Sequence, residues 1–203
     1  YGETWIVYDG KSVYQDFDPE LHIVRGPIVT PRRPRLISGW DAGPNDINLG
    51  WALGIASPVL RGIQFIDYYF AEDGDIEDFV QVVSGRLKME WARITGYQIH
   101  VADQSIFTRS SLVRGRAVVD VLRQHGMNPV PGEISFSKRR QAVENMLVKF
   151  HRSADHKPIP DLTVHERCEL IIEGFQGGYC YGRSATAGND LWKTTPLKNR
   201  FSH

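Results

Sequence analysis

Three short apolar runs stand close together in the first half of the chain, and they limit its possible folds more than any other feature. Arg35–Ala42 (RLISGWDA), Leu49–Ala56 (LGWALGIA) and Gly62–Phe70 (GIQFIDYYF) are each of strand length. They are rich in Ile, Leu, Trp, Phe and Tyr, several of which favour a pleated, half-buried surface. Gly43-Pro44-Asn45-Asp46 separates the first two, and Ser57-Pro58 opens the gap before the third. Gaps this short leave no room for crossover helices, so the runs are predicted to pair antiparallel in a meander.

After them the apolar period changes from two to 3.6. Ile76, Phe79, Val80, Val83, Leu87 and Trp91 share one helical face, behind the candidate caps Asp73 and Asp75. Tyr97–Ala102 reads as a strand running into Asp103. A second helix, capped by Ser110 or Ser111 and stopped by Gly126, leads to a short strand at Met127–Val130. Lys138–His151 is predicted as a third helix, with Ala142, Val143, Met146, Leu147 and Phe150 on one face. Thr163 and Glu166 have capping-box spacing before Cys168, Leu170, Ile171, Ile172 and Phe175, and Gly177-Gly178 ends that helix. The polar stretch from Tyr179 to His203 suggests a hairpin. The class is therefore α/β: a mixed sheet of three antiparallel strands then parallel strands, with helices on both faces.

Residues 1–34 follow neither period. Arg25-Gly-Pro-Ile-Val-Thr-Pro-Arg-Arg-Pro34 is basic and proline-rich, and prolines break both helix and sheet patterns. The segment is read as a linker or lead-in, leaving 35–203 as one domain. The first residue is Tyr1 rather than Met, which suggests a piece of something longer.

Lysine plus arginine equals aspartate plus glutamate at 24 each. A net charge of zero argues against a strong free-standing DNA binder, because nonspecific affinity comes from phosphate neutralisation. It leaves room for an enzyme that another domain holds on DNA. No apolar run reaches membrane-span length. Cys168 and Cys180 lack a metal-type spacing and read as packing residues in a reducing setting.

The chemistry points to two aspartates. Asp41 lies inside the first strand and Asp103 at the end of the fourth. A carboxylate within a central strand is costly unless it is paired, hydrogen-bonded or on a metal. If the two strands are neighbours, both carboxylates meet at one sheet edge, where a hard cation such as Mg2+ or Mn2+ relieves their repulsion. Two such ions can activate water for phosphodiester hydrolysis. The competing reading makes each Asp a turn or cap residue.

Ser38-Gly-Trp-Asp-Ala-Gly43 and Val101-Ala-Asp-Gln-Ser105 resemble the first two acidic motifs of phage large-terminase nuclease domains, which have a ribonuclease-H-like fold. Cys168–Tyr179 resembles that family's late helix, and Pro196–His203 resembles the lead to its third catalytic Asp, expected three residues past His203. The resemblance covers nearly the whole chain and rests on the order and spacing of the motifs. It implies a Mg2+- or Mn2+-dependent endonuclease that cuts concatemeric viral DNA during packaging, with little sequence specificity. Asp41 and Asp103 would be metal ligands and catalytic residues, and His203 an orienting catalytic residue. It further implies double-stranded DNA, a preceding ATPase motor, a small terminase and a portal protein as partners. Host cytoplasm, no membrane and a monomeric isolated domain complete that picture. Alternatives are another ribonuclease-H-like nuclease, such as a junction resolvase or transposase core, or a non-catalytic DNA-docking module.

Lys138, Arg139, Arg140 and Lys198 are candidate DNA-phosphate contacts, as are Arg114 and Arg116, although a charge run is more often a solvated face. Asp46 is expected to form a turn and Asp67 to lie at a surface or edge. His100 and Trp40, Trp51 and Trp91 are expected in the core. Glu173 is either solvated, salt-bridged or a brace for the site.

Overall fold

The computed structural model describes residues 10–31, 33–42, 48–56, 62–72, 74–94, 97–107, 117–152, 157–183 and 192–201. Asp46, Ser110, Ser111, Arg114, Arg116 and His203, all singled out above, lie outside them.

The three apolar runs form the predicted meander. Strands β3 (Arg35–Ala42), β4 (Asn48–Ala56) and β5 (Ile63–Glu72) pair antiparallel, with Trp40 opposite Trp51. Alternation explains their two faces. Leu36, Ser38, Trp40 and Ala42 are buried on one side of β3, and Leu49, Trp51, Leu53 and Ile55 follow suit in β4. A register shift after Leu53 leaves Ile66 without an opposite residue, so the neighbouring Ile66 and Asp67 are both buried.

Helix α2 (Ile76–Met89) covers the Trp40 face. Asp75 caps it, accepting from the backbone N–H groups of Glu77 at 2.7 Å and Asp78 at 3.3 Å. Its Phe79, Val80, Val83 and Leu87 pack with Val118, Val121 and Leu122 of α3 (Val118–Gln124) against Leu36, Trp40, Leu53 and Ile66. Strand β6 (Tyr97–Ala102) lies parallel to β3, and β7 (Val130–Pro131) parallel to β6 at the sheet edge. His100 is buried as expected: the Trp40 indole donates to Ser38 Oγ at 2.9 Å, and Ser38 Oγ is hydrogen-bonded to His100 Nδ1 at 2.6 Å. Burial holds the His100 pKa below its usual 6.5.

The opposite face carries α4 (Phe136–Val148) and α5 (Glu169–Glu173). Leu147, Val143 and Met146 pack there with Ile171, Ile172 and Phe175 over Ile63 and Phe65. Helix α4 stops short of the predicted His151. Lys149 turns extended, and Phe150–Arg152 (β8) pairs with Pro158–Pro160 (β9), so Phe150 lies in a hairpin and not on a helical face.

Two further segments depart from expectation. Thr163 has the spacing of a helix cap, but Leu162–His165 is a strand, β10, buried at all four positions and parallel to β5. Its other neighbour is β2 (Ile23–Val24), from the stretch expected to be irregular. The same stretch supplies β1 (Lys11–Ser12), paired with β11 (Cys180–Tyr181), and the short helix α1 (Pro19–His22). Phe17 stacks on Phe175 with centroids 4.8 Å apart, and buried His22 Nε2 donates to the Leu147 carbonyl at 3.0 Å. The lead-in is thus bound into the fold from residue 11. The full sheet order is β2-β10-β5-β4-β3-β6-β7, a mixed sheet with helices on both faces.

Asp67 is not an edge residue. Its side chain is only 2% exposed and receives Tyr68 N–H at 2.9 Å, the Trp91 indole N–H at 2.9 Å and Arg86 Nη1 at 3.1 Å, with Arg167 Nη2 at 3.5 Å. One carboxylate ties β5, α2 and the turn after β10 together. Cys168 and Cys180 are buried and unbridged.

Candidate active site

The site begins with missing side chains. On the α4/α5 face, the centre of the sheet presents Gly39 from β3 and Gly50 and Ala52 from β4; Gly39 pairs with Ala52, and Asp41 with Gly50. A methyl added at Gly39 would meet nothing within 4 Å. The sheet floor is therefore bare, and α4 and α5 flank a gap of about 570 Å³ above it. Aromatic rings wall the gap, among them Tyr68, Phe136, Phe175 and Phe201.

Asp41 and Asp103 share its mouth. Trp40 is the register partner of Ala102 on parallel strands, and the Asp103 N–H donates to the Trp40 carbonyl at 2.9 Å, so the following residue of each strand emerges on the same face. Both line the cavity, at the carboxyl ends of neighbouring parallel strands. The Asp103 carboxylate is half-fixed. Oδ1 accepts the Ser105 N–H at 2.9 Å, closing the turn that begins a 3-10 helix, Gln104–Phe107, and the Ser105 hydroxyl donates to the Ala42 carbonyl at 3.2 Å. The cap role and the site role are therefore compatible: Oδ1 holds the turn, and the residue lines the cavity. Oδ2 lies 3.6 Å from Arg139 Nη1, reached from α4.

Two oxygen-donor carboxylates on a common edge fit a hard divalent cation, because Mg2+ is commonly held by one or two carboxylates with water and substrate oxygens completing its shell. Among the described residues, no three His, Cys, Asp or Glu side chains gather as a metal cage.

The cation run on α4 divides. Lys138 is exposed and reaches Glu133 at 3.4 Å; Arg139 enters the cavity wall. Arg140 Nη1 instead donates to the Tyr181 hydroxyl at 2.9 Å, and its Nε pairs with Glu144 at 3.3 Å, so it braces β11 against α4. Lys198 is exposed, whereas nearby Arg200 lines the cavity and bonds Glu173 at 3.0 Å, giving Glu173 a salt bridge. Sequence reasoning passed over Glu133 and Arg200. Glu133 follows the third parallel strand and accepts the Ser135 N–H at 3.0 Å, a contact that holds its pKa below the usual range. Its place just beyond the predicted strand at Met127–Val130 was the signal available.

Matched by sequence, the chain finds no protein-family model and no curated protein. Matched by shape, it finds phage terminases. The large terminase of a thermophilic bacteriophage aligns over 96% of this chain with TM-score 0.66 and 14% identity, and the chain spans 42% of that protein. The nuclease domain of the P22 large terminase aligns over 93% of this chain and 84% of its own length, with TM-score 0.62 and 12% identity. The chain has the ribonuclease-H-like fold of a large-terminase nuclease domain. The SPP1 large-terminase nuclease domain, a structure with bound Mn, aligns over 88% of this chain and 89% of its own, with TM-score 0.53 and 15% identity. At these identities the terminase-nuclease likeness is one of backbone path, and the chemistry must be argued from the side chains present.

Proposed function

We propose that this chain is a divalent-metal-dependent DNA endonuclease of the phage-packaging type, its metal ligands lying in residues 35–203 and its lead-in 1–34, joined to the same fold from residue 11, coming from a motor domain. The observation that carries the proposal is the emergence of Asp41 and Asp103 side by side into one open cavity, on the terminase-nuclease fold. Concatemeric double-stranded DNA is the substrate in this reading, the small terminase and portal protein are partners of the parent protein, and the host cytoplasm is its setting. Among the described residues, no helix is long and apolar enough to cross a membrane.

Asp41 and Asp103 would hold Mg2+ or Mn2+; the SPP1 domain, of the same fold, was solved with Mn. Such ions, when bound, neutralise charge on the phosphate and lower the pKa of water. The chain's own part is placement. The Ser105 N–H fixes the Asp103 carboxylate, and the bare floor of Gly39, Gly50 and Ala52 leaves room for the phosphodiester beside it. Arg139, which lines the cavity, and the exposed Lys138 and Lys198 would serve as phosphate contacts, which position a duplex without reading its sequence. A net charge of zero predicts weak grip by the isolated chain, so cutting is restrained until a motor domain delivers DNA.

The test is nicking of supercoiled plasmid with Mn2+, Mg2+ or EDTA, by the wild type and by Asp41→Asn and Asp103→Asn. Metal-dependent nicking that falls to background in both folded variants is the expected result. Nicking that persists in either variant would move the active site elsewhere.

A further inference from the structure

Arg139 lies on α4 where a cation is electrostatically misplaced. The amino end of a helix carries partial positive charge, which favours acids there and disfavours bases. Yet α4 opens Phe136-Ser-Lys-Arg-Arg140, with no acidic residue in its first turn. Each cation is offset by one carboxylate: Glu133 for Lys138, Glu144 for Arg140 and Asp103 for Arg139. Two of these offsets are local, within five residues along the chain. The third is not: Arg139 pairs with an acid just past β6, 36 residues away along the chain.

The placement on Asp103 is selective. Oδ1 accepts the Ser105 N–H, and Oδ2 is the oxygen that Arg139 faces at 3.6 Å. The guanidinium therefore competes for Oδ2 with any divalent cation that Asp103 would hold. It is also half-exposed on a helix surface, so it can leave without disturbing the core.

We infer that Arg139 is a resident counter-cation for the site, holding Asp103 in the metal-free protein and swinging to a DNA phosphate when a divalent ion takes its place. The inference rests on the proposed nuclease reading and adds its regulation. Metal and DNA then help each other bind: the ion frees Arg139 for phosphate, and phosphate draws Arg139 off the ion's ligand, by equal factors in the two directions.

The experiment titrates the whole chain with Mn2+ and reads free ion by electron paramagnetic resonance, without DNA, so no turnover is needed. Arg139→Gln removes the competitor and is expected to tighten Mn2+ binding about two- to fivefold, the worth of a half-exposed ion pair. Arg139→Lys keeps the charge and is expected within about twofold of wild type. Circular dichroism confirms folding. Equal or weaker Mn2+ binding by Arg139→Gln overturns the inference. Asp41→Asn separates the two layers. Loss of Mn2+ binding in it, with no effect of Arg139→Gln, leaves the metal site standing and removes the gate. Unchanged Mn2+ binding in Asp41→Asn removes both.

Discussion

Replacing Asp67 by alanine tests whether one buried carboxylate holds β5, α2 and the turn after β10 together. The side chain is 2% exposed and has four donors around it: Tyr68 N–H, the Trp91 indole, Arg86 and Arg167. Without it, the buried Trp91 N–H loses its acceptor, a loss of about 1–3 kcal/mol, and breaking a buried ion pair by removing one partner costs about 3–5 kcal/mol. These overlap and are not additive. Arg86 and Arg167 keep 32% and 39% of their side-chain surface in water, which recovers part of the loss. The two guanidiniums also retain their places over Tyr69 and Trp91, at 5.1 and 5.5 Å. The expected destabilisation is about 3 kcal/mol, at the low end of the buried-pair range. With a urea slope of about 2 kcal/mol/M, the midpoint should fall by about 1.5 M in a far-UV circular dichroism titration. A fall of less than about 0.5 M at unchanged slope would refute the claim that this carboxylate joins β5, α2 and the turn after β10.

Further outcomes follow from the same contacts. The buried, neutral His100 has a lowered pKa, so the unfolded chain takes up its proton first as pH falls. The His100 contribution to stability is complete above about pH 6.5 and declines below it, and His100→Asn should flatten that part of a urea-midpoint-against-pH curve. Gly39→Val should fold normally, since the position has open space and a strand backbone, but should abolish plasmid nicking by filling the cavity beside Asp41. Burial pushes the Cys168 thiol up to about 12, so iodoacetamide should leave it unlabelled in the native chain at neutral pH and modify it in urea, as mass spectrometry would show.

The parts of the fold written in local pattern were legible in the sequence. The boundaries of β3 came from its own alternation, and α2 from its cap and apolar face. The Asp41–Asp103 convergence followed once β3 and β6 were taken as neighbours. What local pattern does not carry was missed. Leu162–His165 is a strand because Ile23 and Ile63 lie on either side of it, residues remote along the chain, while Thr163 and Glu166 locally imitate a helix start. Asp67 looked peripheral because its partners Arg86, Trp91 and Arg167 come from three other places in the sequence. The uniform run Lys138-Arg139-Arg140 hid three different fates, decided by which face of α4 meets Glu133, Asp103 or Tyr181.

The place of β10 between β2 and β5 also sets a schedule for biosynthesis. The β3–β5 meander can close as soon as it leaves the ribosome, but the outer rim of β5 at Ile63–Phe65 and the segment Ile23–Val24 both wait for Leu162–His165. Ile23 is made about 140 residues before its partner Val164, and at roughly 5–20 residues per second that delay is on the order of ten seconds. For about the last 100 residues of it, from Ile63 to Leu162, the nascent chain displays the unpaired apolar rim of β5 to its neighbours on the polysome, the kind of surface on which chains associate wrongly. Holdase chaperones would meet this protein in that interval, at the rim of β5.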